Sequence, residues 1–124
     1  VSSHLDFETS ERIVTRLESR GRDQIFRSLF LGYFTDLQDC AHVVELGCGT
    51  GVVARALCQH EGFSGLITGV DQSEHFIHAA ERLARSDGCD PARISFRVGD
   101  AHRVGDVATI PVDAVLAHTL LSHV

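Results

Sequence analysis

Residues 43–51 read "VVELGCGTG": a short apolar run with a carboxylate at Glu45, then glycine at three alternate positions, Gly47, Gly49 and Gly51. Glycine at the first position lets the chain turn tightly, at the second lets the backbone approach a ligand, and at the third lets a helix start close to a sheet. Turns of this kind commonly hold phosphate, drawn to the amides and dipole at the helix start. Glu45 opposes that, because a carboxylate beside the turn repels phosphate. A tight turn without any ligand needs the same glycines.

On either side of the turn, "HVVELG" predicts a buried strand ending at Gly47, and "GVVARALCQHE" a helix with Val53, Ala54 and Leu57 on one side. "GLITGVD" predicts a second strand, and Ser73 caps a helix with the face Phe76, Ile77, Ala80, Leu83 and Ala84, ended by Gly88. "RISFRVGD" and "VDAVLAHTL" predict strands three and four. Near-continuous apolar strands alternating with helices specify an α/β fold, a Rossmann-like doubly wound parallel sheet. In such sheets ligands bind beyond the carboxyl ends of the strands, where the strand order reverses, and the glycine turn lies at such an end.

The first forty residues read as helical. Ser10 can cap a segment with Ile13, Val14 and Leu17, and Ile25, Phe26, Leu29, Phe30, Tyr33, Phe34 and Leu37 recur at helical spacing. Residues 1–41 thus form an amino-terminal helical segment that packs on the sheet or covers a ligand as a lid, and residues 42–124 form the ligand-binding domain.

The 124 residues, 44% of them hydrophobic, suffice for one domain. A net charge of −6 and the absence of Lys exclude a nucleic-acid backbone as main partner. No apolar run approaches the roughly 18 residues of a membrane span, and the polar start is no signal peptide, so the chain reads as cytoplasmic with no membrane partner. Cys40, Cys48, Cys58 and Cys89 show no CxxC pairing and read as reduced thiols. Met is missing even at position 1, and the chain stops just past the apolar run of the fourth strand, so both ends read as cuts. An open apolar fourth strand would be a template for a homodimer.

Three nucleotide turns compete for "GCGTG". A Walker loop needs Lys and is excluded; a dinucleotide fingerprint, GxGxxG, needs a small residue where Val52 stands. A ligand bearing an ammonium or sulfonium group meets no penalty from Glu45 and gains from it.

Together these residues resemble the class I S-adenosylmethionine-dependent methyltransferases, whose first motif is an apolar strand, an acidic residue and GxGxG. The "GVDQS" and "LLSHV" wording is most similar to the small-molecule branch near the ubiquinone and menaquinone enzymes. The resemblance covers residues 42–124. It implies that Glu45, Gly47, Cys48, Gly49 and Gly51 cradle the methionine end of S-adenosylmethionine, that Asp71 holds the ribose hydroxyls, and that Gln72 lies against the adenine. In "FRVGDAHRV" it implies that Asp100 accepts from the adenine amino group while the Ala101 N–H donates to the ring. Ala117 and His118 occupy the small-Asn pair near the methionine, with His118 a departure from Asn.

A sulfonium methyl is already activated, so holding a nucleophile in line and excluding water does most of the work. For a hydroxyl or phenol acceptor His118 is the candidate general base, and His123 reads as a helix-face residue. His75 and His78 lie three apart on one helix, but no third ligand has metal-site spacing, so no metal is expected. The reading is a methyltransferase acting on a small molecule. The alternatives are a non-catalytic adenosine-ligand binding module and an NAD-dependent oxidoreductase.

Overall fold

The computed structural model describes residues 34–100 and 111–117, together with Arg12 and Gly32. Its strands are β1 (His42–Leu46), β2 (Leu66–Asp71), β3 (Ile94–Val98) and β4 (Ala114–Ala117), with helices α1 (Val52–Gln59) and α2 (Glu74–Ser86) between the first three. All pairings are parallel and the order is β3-β2-β1-β4. The order therefore reverses beside β1, and the glycine turn leaves β1 at that switch point.

Alternation along the strands sets the two faces of the sheet. Val43, Ile67, Ile94 and Phe96 share one core with Val53, Ala54, Leu57 and Cys58 of α1 and Ile77, Ala80 and Ala84 of α2. The larger of these side chains, Val, Leu, Ile and Phe, each contribute about 1.5–3 kcal/mol when fully buried. Ser73 caps α2 as expected, its hydroxyl accepting from the Phe76 N–H at 3.2 Å, and Gly88 follows the helix in the left-handed region. Ala79 is buried on α2, whereas Leu83 is only half-buried. Continuous burial holds for β1 and β2. The flanking strands instead pack one face on the core, Ile94 and Phe96 on β3 and Ala114 and Leu116 on β4, and expose the alternate residues Ser95, Arg97, Val115 and Ala117 on the other.

Phe34 and Leu37 are buried in the same core, Phe34 stacking obliquely on His60 with ring centroids 5.5 Å apart. The rest of the expected aromatic stripe and the Ser10 cap lie outside the described residues. All four cysteines are free thiols. Among the described residues no helix is long and apolar enough to cross a membrane.

Two polar clamps hold the end of the sheet opposite the glycine turn. Asp113 Oδ2 accepts from the Ala41 and His42 N–H groups at 2.7 and 2.9 Å, while the Asp113 N–H donates to the His42 carbonyl. The buried His42 ring bridges Pro111 O and Thr68 Oγ1, and because a carbonyl only accepts, Nδ1 donates to Pro111 O. Arg93 forms the second clamp, donating to the carbonyls of Gly65, Cys58 and Phe63 with its guanidinium 5.7 Å from the Phe63 ring centre. It closes the loop between α1 and β2. Arg93→Ala is expected to cost about 3 kcal/mol, since hydrogen bonds to a charged group contribute about 1.5–3 kcal/mol each and some are replaced by water. Urea unfolding checks this, and an unchanged midpoint would remove the clamp role.

Candidate functional site

The turn after β1 passes through three glycines in the left-handed region, with φ of +64° at Gly47, +57° at Gly49 and +77° at Gly51. Its underside hangs from β2. The Cys48 N–H donates to the Val70 carbonyl at 3.0 Å, and the Gly49 N–H donates to Asp71 Oδ2 at 3.0 Å. Gly51 is the N-cap of α1 and its carbonyl accepts from the Arg55 N–H at 2.7 Å. A side chain at Gly47 would meet no atom within 4 Å, so the turn's outer surface is open there.

Asp71 closes β2 and is buried. Besides the Gly49 amide it binds the Ser73 N–H through Oδ1 at 2.8 Å, so one carboxylate joins the glycine turn to the start of α2. Each oxygen keeps a second lone pair, because a carboxylate accepts at about four positions. Gln72 follows on the surface. The Gly99 N–H donates to the Asp71 carbonyl at 3.0 Å, which brings the exposed Asp100 beside the end of β2. Five expected segments, at 45, 47–51, 71, 72 and 100, thus converge on the carboxyl ends of the strands. Ala101, His118 and His123 lie outside the described residues.

Two expected site residues have buried side chains. Glu45 is fully buried near the carboxyl end of β1. The Cys48 side chain belongs to the core, so only its backbone faces the turn. Burial, and then the Glu45 and Asp71 carboxylates, push the Cys48 thiol well above its ordinary range. The Cys89 thiol is pushed up to about 11, first by burial and then by the neighbouring Cys58.

Because the folded chain holds these protons more tightly than the unfolded chain does, stability is expected to fall as pH rises above the ordinary thiol pKa of about 8.5. The half-buried Cys40 is expected to take iodoacetamide at pH 8 before Cys48 or Cys89. Peptide mapping reads the order, and labelling of Cys48 ahead of Cys40 would refute it.

The sequence reading did not single out Gly69 or Phe96. A side chain at Gly69 would lie 2.7 Å from Phe96 Cδ1 and 3.0 Å from Cys48 Sγ. A glycine inside an apolar strand was the available signal. Arg55 was also missed. Buried in α1, it donates to the Thr50 carbonyl at 3.3 Å and pairs with Asp87 at 2.6 Å, tying the turn to the end of α2. Among the described residues no group of three or more His, Cys, Asp or Glu gathers as a metal site.

A parallel sheet with a glycine turn at its switch point and carboxylates at successive strand ends defines a nucleoside-type ligand-binding α/β domain. A family model described as a methyltransferase domain matches residues 43–124, and the chain belongs to this family, the class I S-adenosylmethionine-dependent methyltransferases. No curated protein sequence matches the chain. Among solved structures it is similar to a methyltransferase from Thiobacillus denitrificans in complex with S-adenosyl-L-homocysteine, at 30% identity and a TM-score of 0.57. That match covers 72% of this chain and 34% of the other. A magnesium protoporphyrin IX methyltransferase from Synechocystis shares the fold at 21% identity and a TM-score of 0.64, covering 95% of this chain and 48% of the other. An O-methyltransferase from Streptomyces achromogenes, solved with S-adenosylmethionine, shares the fold at 19% identity and a TM-score of 0.56, covering 72% and 40%. The chain thus spans between a third and a half of these structures' length.

Proposed function

We propose that this chain is the cofactor-binding part of a methyltransferase that transfers a methyl group from S-adenosylmethionine to a small molecule. The observation that carries the reading is the Asp71 carboxylate, held by the Gly49 and Ser73 amides at the carboxyl end of β2, directly beside an open glycine turn. A carboxylate accepts two neighbouring hydroxyls side by side, which suits a ribose.

The donor set fits the cofactor. Glu45 and Asp71 place negative charge under the turn, which favours a sulfonium and disfavours a pyrophosphate. Gly47, Gly49 and Gly51 bring backbone to the ligand with no side chain in between, Asp71 orients the ribose, and Gln72, Asp100 and the Ala101 N–H address the adenine. The cofactor, when bound, supplies an activated methyl group. His118, on the segment that leaves β4, is the residue assigned to the methionine end and the candidate proton acceptor from a hydroxyl substrate.

The acceptor is a small molecule, the acidic balance of the chain speaking against a nucleic-acid backbone, and the setting is cytoplasmic. The amino-terminal segment 1–41 serves as a cover or as packing helices, and self-association uses the β4 edge. A binding module without transfer is favoured if the cofactor binds tightly and no acceptor is methylated.

Calorimetric titration of the chain with S-adenosylhomocysteine, with NAD as control, tests the reading. Binding of S-adenosylhomocysteine alone supports it. Binding of NAD alone would overturn it in favour of an oxidoreductase, and binding of neither would reduce the chain to its fold.

A further inference from the structure

The ring of Phe96 meets two glycines at once. A Cβ on Gly51 would lie 2.7 Å from Cε1 and 2.9 Å from Cζ, and one on Gly69 would lie 2.7 Å from Cδ1 and 2.9 Å from Cε1. One ring edge therefore runs across the α-carbon of the α1 N-cap and the α-carbon of a mid-strand residue in β2. Ala80 of α2 approaches the same Gly51 position at 3.5 Å. Phe96 itself stands on β3, paired in register with Gly69, and belongs to the core.

This geometry has a consequence for the ligand end of the sheet. The glycine turn is hung from β2 through the Val70 carbonyl and the Asp71 carboxylate, and is tied to α2 through Arg55, which holds the Thr50 carbonyl. These hydrogen bonds set what the turn is attached to, and the rigid ring against Gly51 limits how closely it approaches the sheet. A larger residue at 51 or 69 lifts the turn off the ring; a smaller residue at 96 lets α1 sink. We infer that Phe96 is the positioning residue of the cofactor site, its ring edge against Gly51 and Gly69 setting the height of the glycine turn over the strand ends. Phe96 acts through the turn and does not touch the cofactor. The inference rests on the S-adenosylmethionine reading for its ligand, but its geometric content is independent of that ligand.

The test is a size-exchange cycle, read in two ways. Phe96→Leu, Gly69→Ala and the double variant are each titrated with S-adenosylhomocysteine at a temperature where thermal unfolding shows them folded, and amide hydrogen exchange is followed without ligand. Each single change is expected to weaken binding about tenfold, the equivalent of about 1.4 kcal/mol, since overpacking or a void displaces the neighbouring backbone. In the double variant Leu yields space to the new methyl, so binding is expected to recover toward the unchanged chain. Exchange at the Cys48 and Gly49 amides is expected to quicken in the singles and slow again in the double.

Singles that bind as tightly as the unchanged chain, or losses that merely add, would reduce Phe96 to ordinary core packing. If the unchanged chain binds no S-adenosylhomocysteine, the cofactor reading falls. The exchange pattern at Cys48 and Gly49 then decides the positioning claim alone: coupled exchange supports it and unaltered exchange overturns it. Should Gly69→Ala fail to fold, Phe96→Leu alone carries the same two readouts: weaker binding with quicker exchange at Cys48 and Gly49 supports the positioning claim, and unchanged values of both overturn it.

Discussion

Asp71→Ala is expected to lower both the stability of the chain and its affinity for S-adenosylhomocysteine, and the two losses have separate origins. The carboxylate accepts from two backbone amides, Gly49 N–H at 3.0 Å and Ser73 N–H at 2.8 Å, in a buried setting. Removing it strands both donors. Hydrogen bonds to a charged acceptor contribute about 1.5–3 kcal/mol each, so a stability loss of about 3 kcal/mol is expected after water partly replaces them. In a domain of this size that is a fall of about 12–20 °C in the melting midpoint.

The affinity loss comes from the lone pairs that remain. A ribose held by them contributes about 1–3 kcal/mol, so binding weakens by about 5- to 150-fold at a temperature where the variant is folded. Asp71→Asn separates the roles, because its amide oxygen satisfies one backbone donor while its NH2 opposes the other. It should fall between Ala and Asp in stability. Calorimetry on the folded variants reads the ribose contact, and unchanged affinity would leave Asp71 with its structural task alone.

The second large effect is expected at the other end of α2. Arg55 is a buried guanidinium whose Nη1 pairs with Asp87 at 2.6 Å, the Asp87 side chain being 33% exposed. Asp87→Ala removes the carboxylate that the buried Arg55 guanidinium pairs with. Breaking a buried pair from one side costs about 3–5 kcal/mol, and water reaching the exposed side of this pair brings the expected loss to about 2–3 kcal/mol. Arg55 also holds the Thr50 carbonyl within the glycine turn, so the loss extends toward the ligand end. Urea denaturation measures it. The double change Asp87→Ala with Arg55→Met should lose less than the sum of the single changes, since each single change already breaks the same pair; additive losses would show that the pair does not act as a unit.

Much of the architecture is legible along the chain because its causes are local. Apolar runs of strand length separated by amphipathic helices specify the parallel sheet, and Ser73 and Gly88 mark the ends of α2 by their own hydrogen-bonding and backbone preferences. The three glycines of "GCGTG" and the acids at 45, 71 and 100 mark the carboxyl ends of the first three strands for the same reason: each lies at or close to a strand end identifiable from its neighbours.

Tertiary structure decided which of those residues meet and which way their side chains lie. Sequence alone does not say that the Cys48 side chain turns into the core, that Glu45 is wholly buried, or that Asp71 binds the glycine turn across 22 residues. Nor does it pair Arg55 with Asp87, clamp three carbonyls with Arg93, or set Gly51 and Gly69 against one aromatic edge. Local propensity records what a segment prefers alone. These contacts depend on the spacing of strands and helices once packed, where a single methyl group separates a fit from a clash.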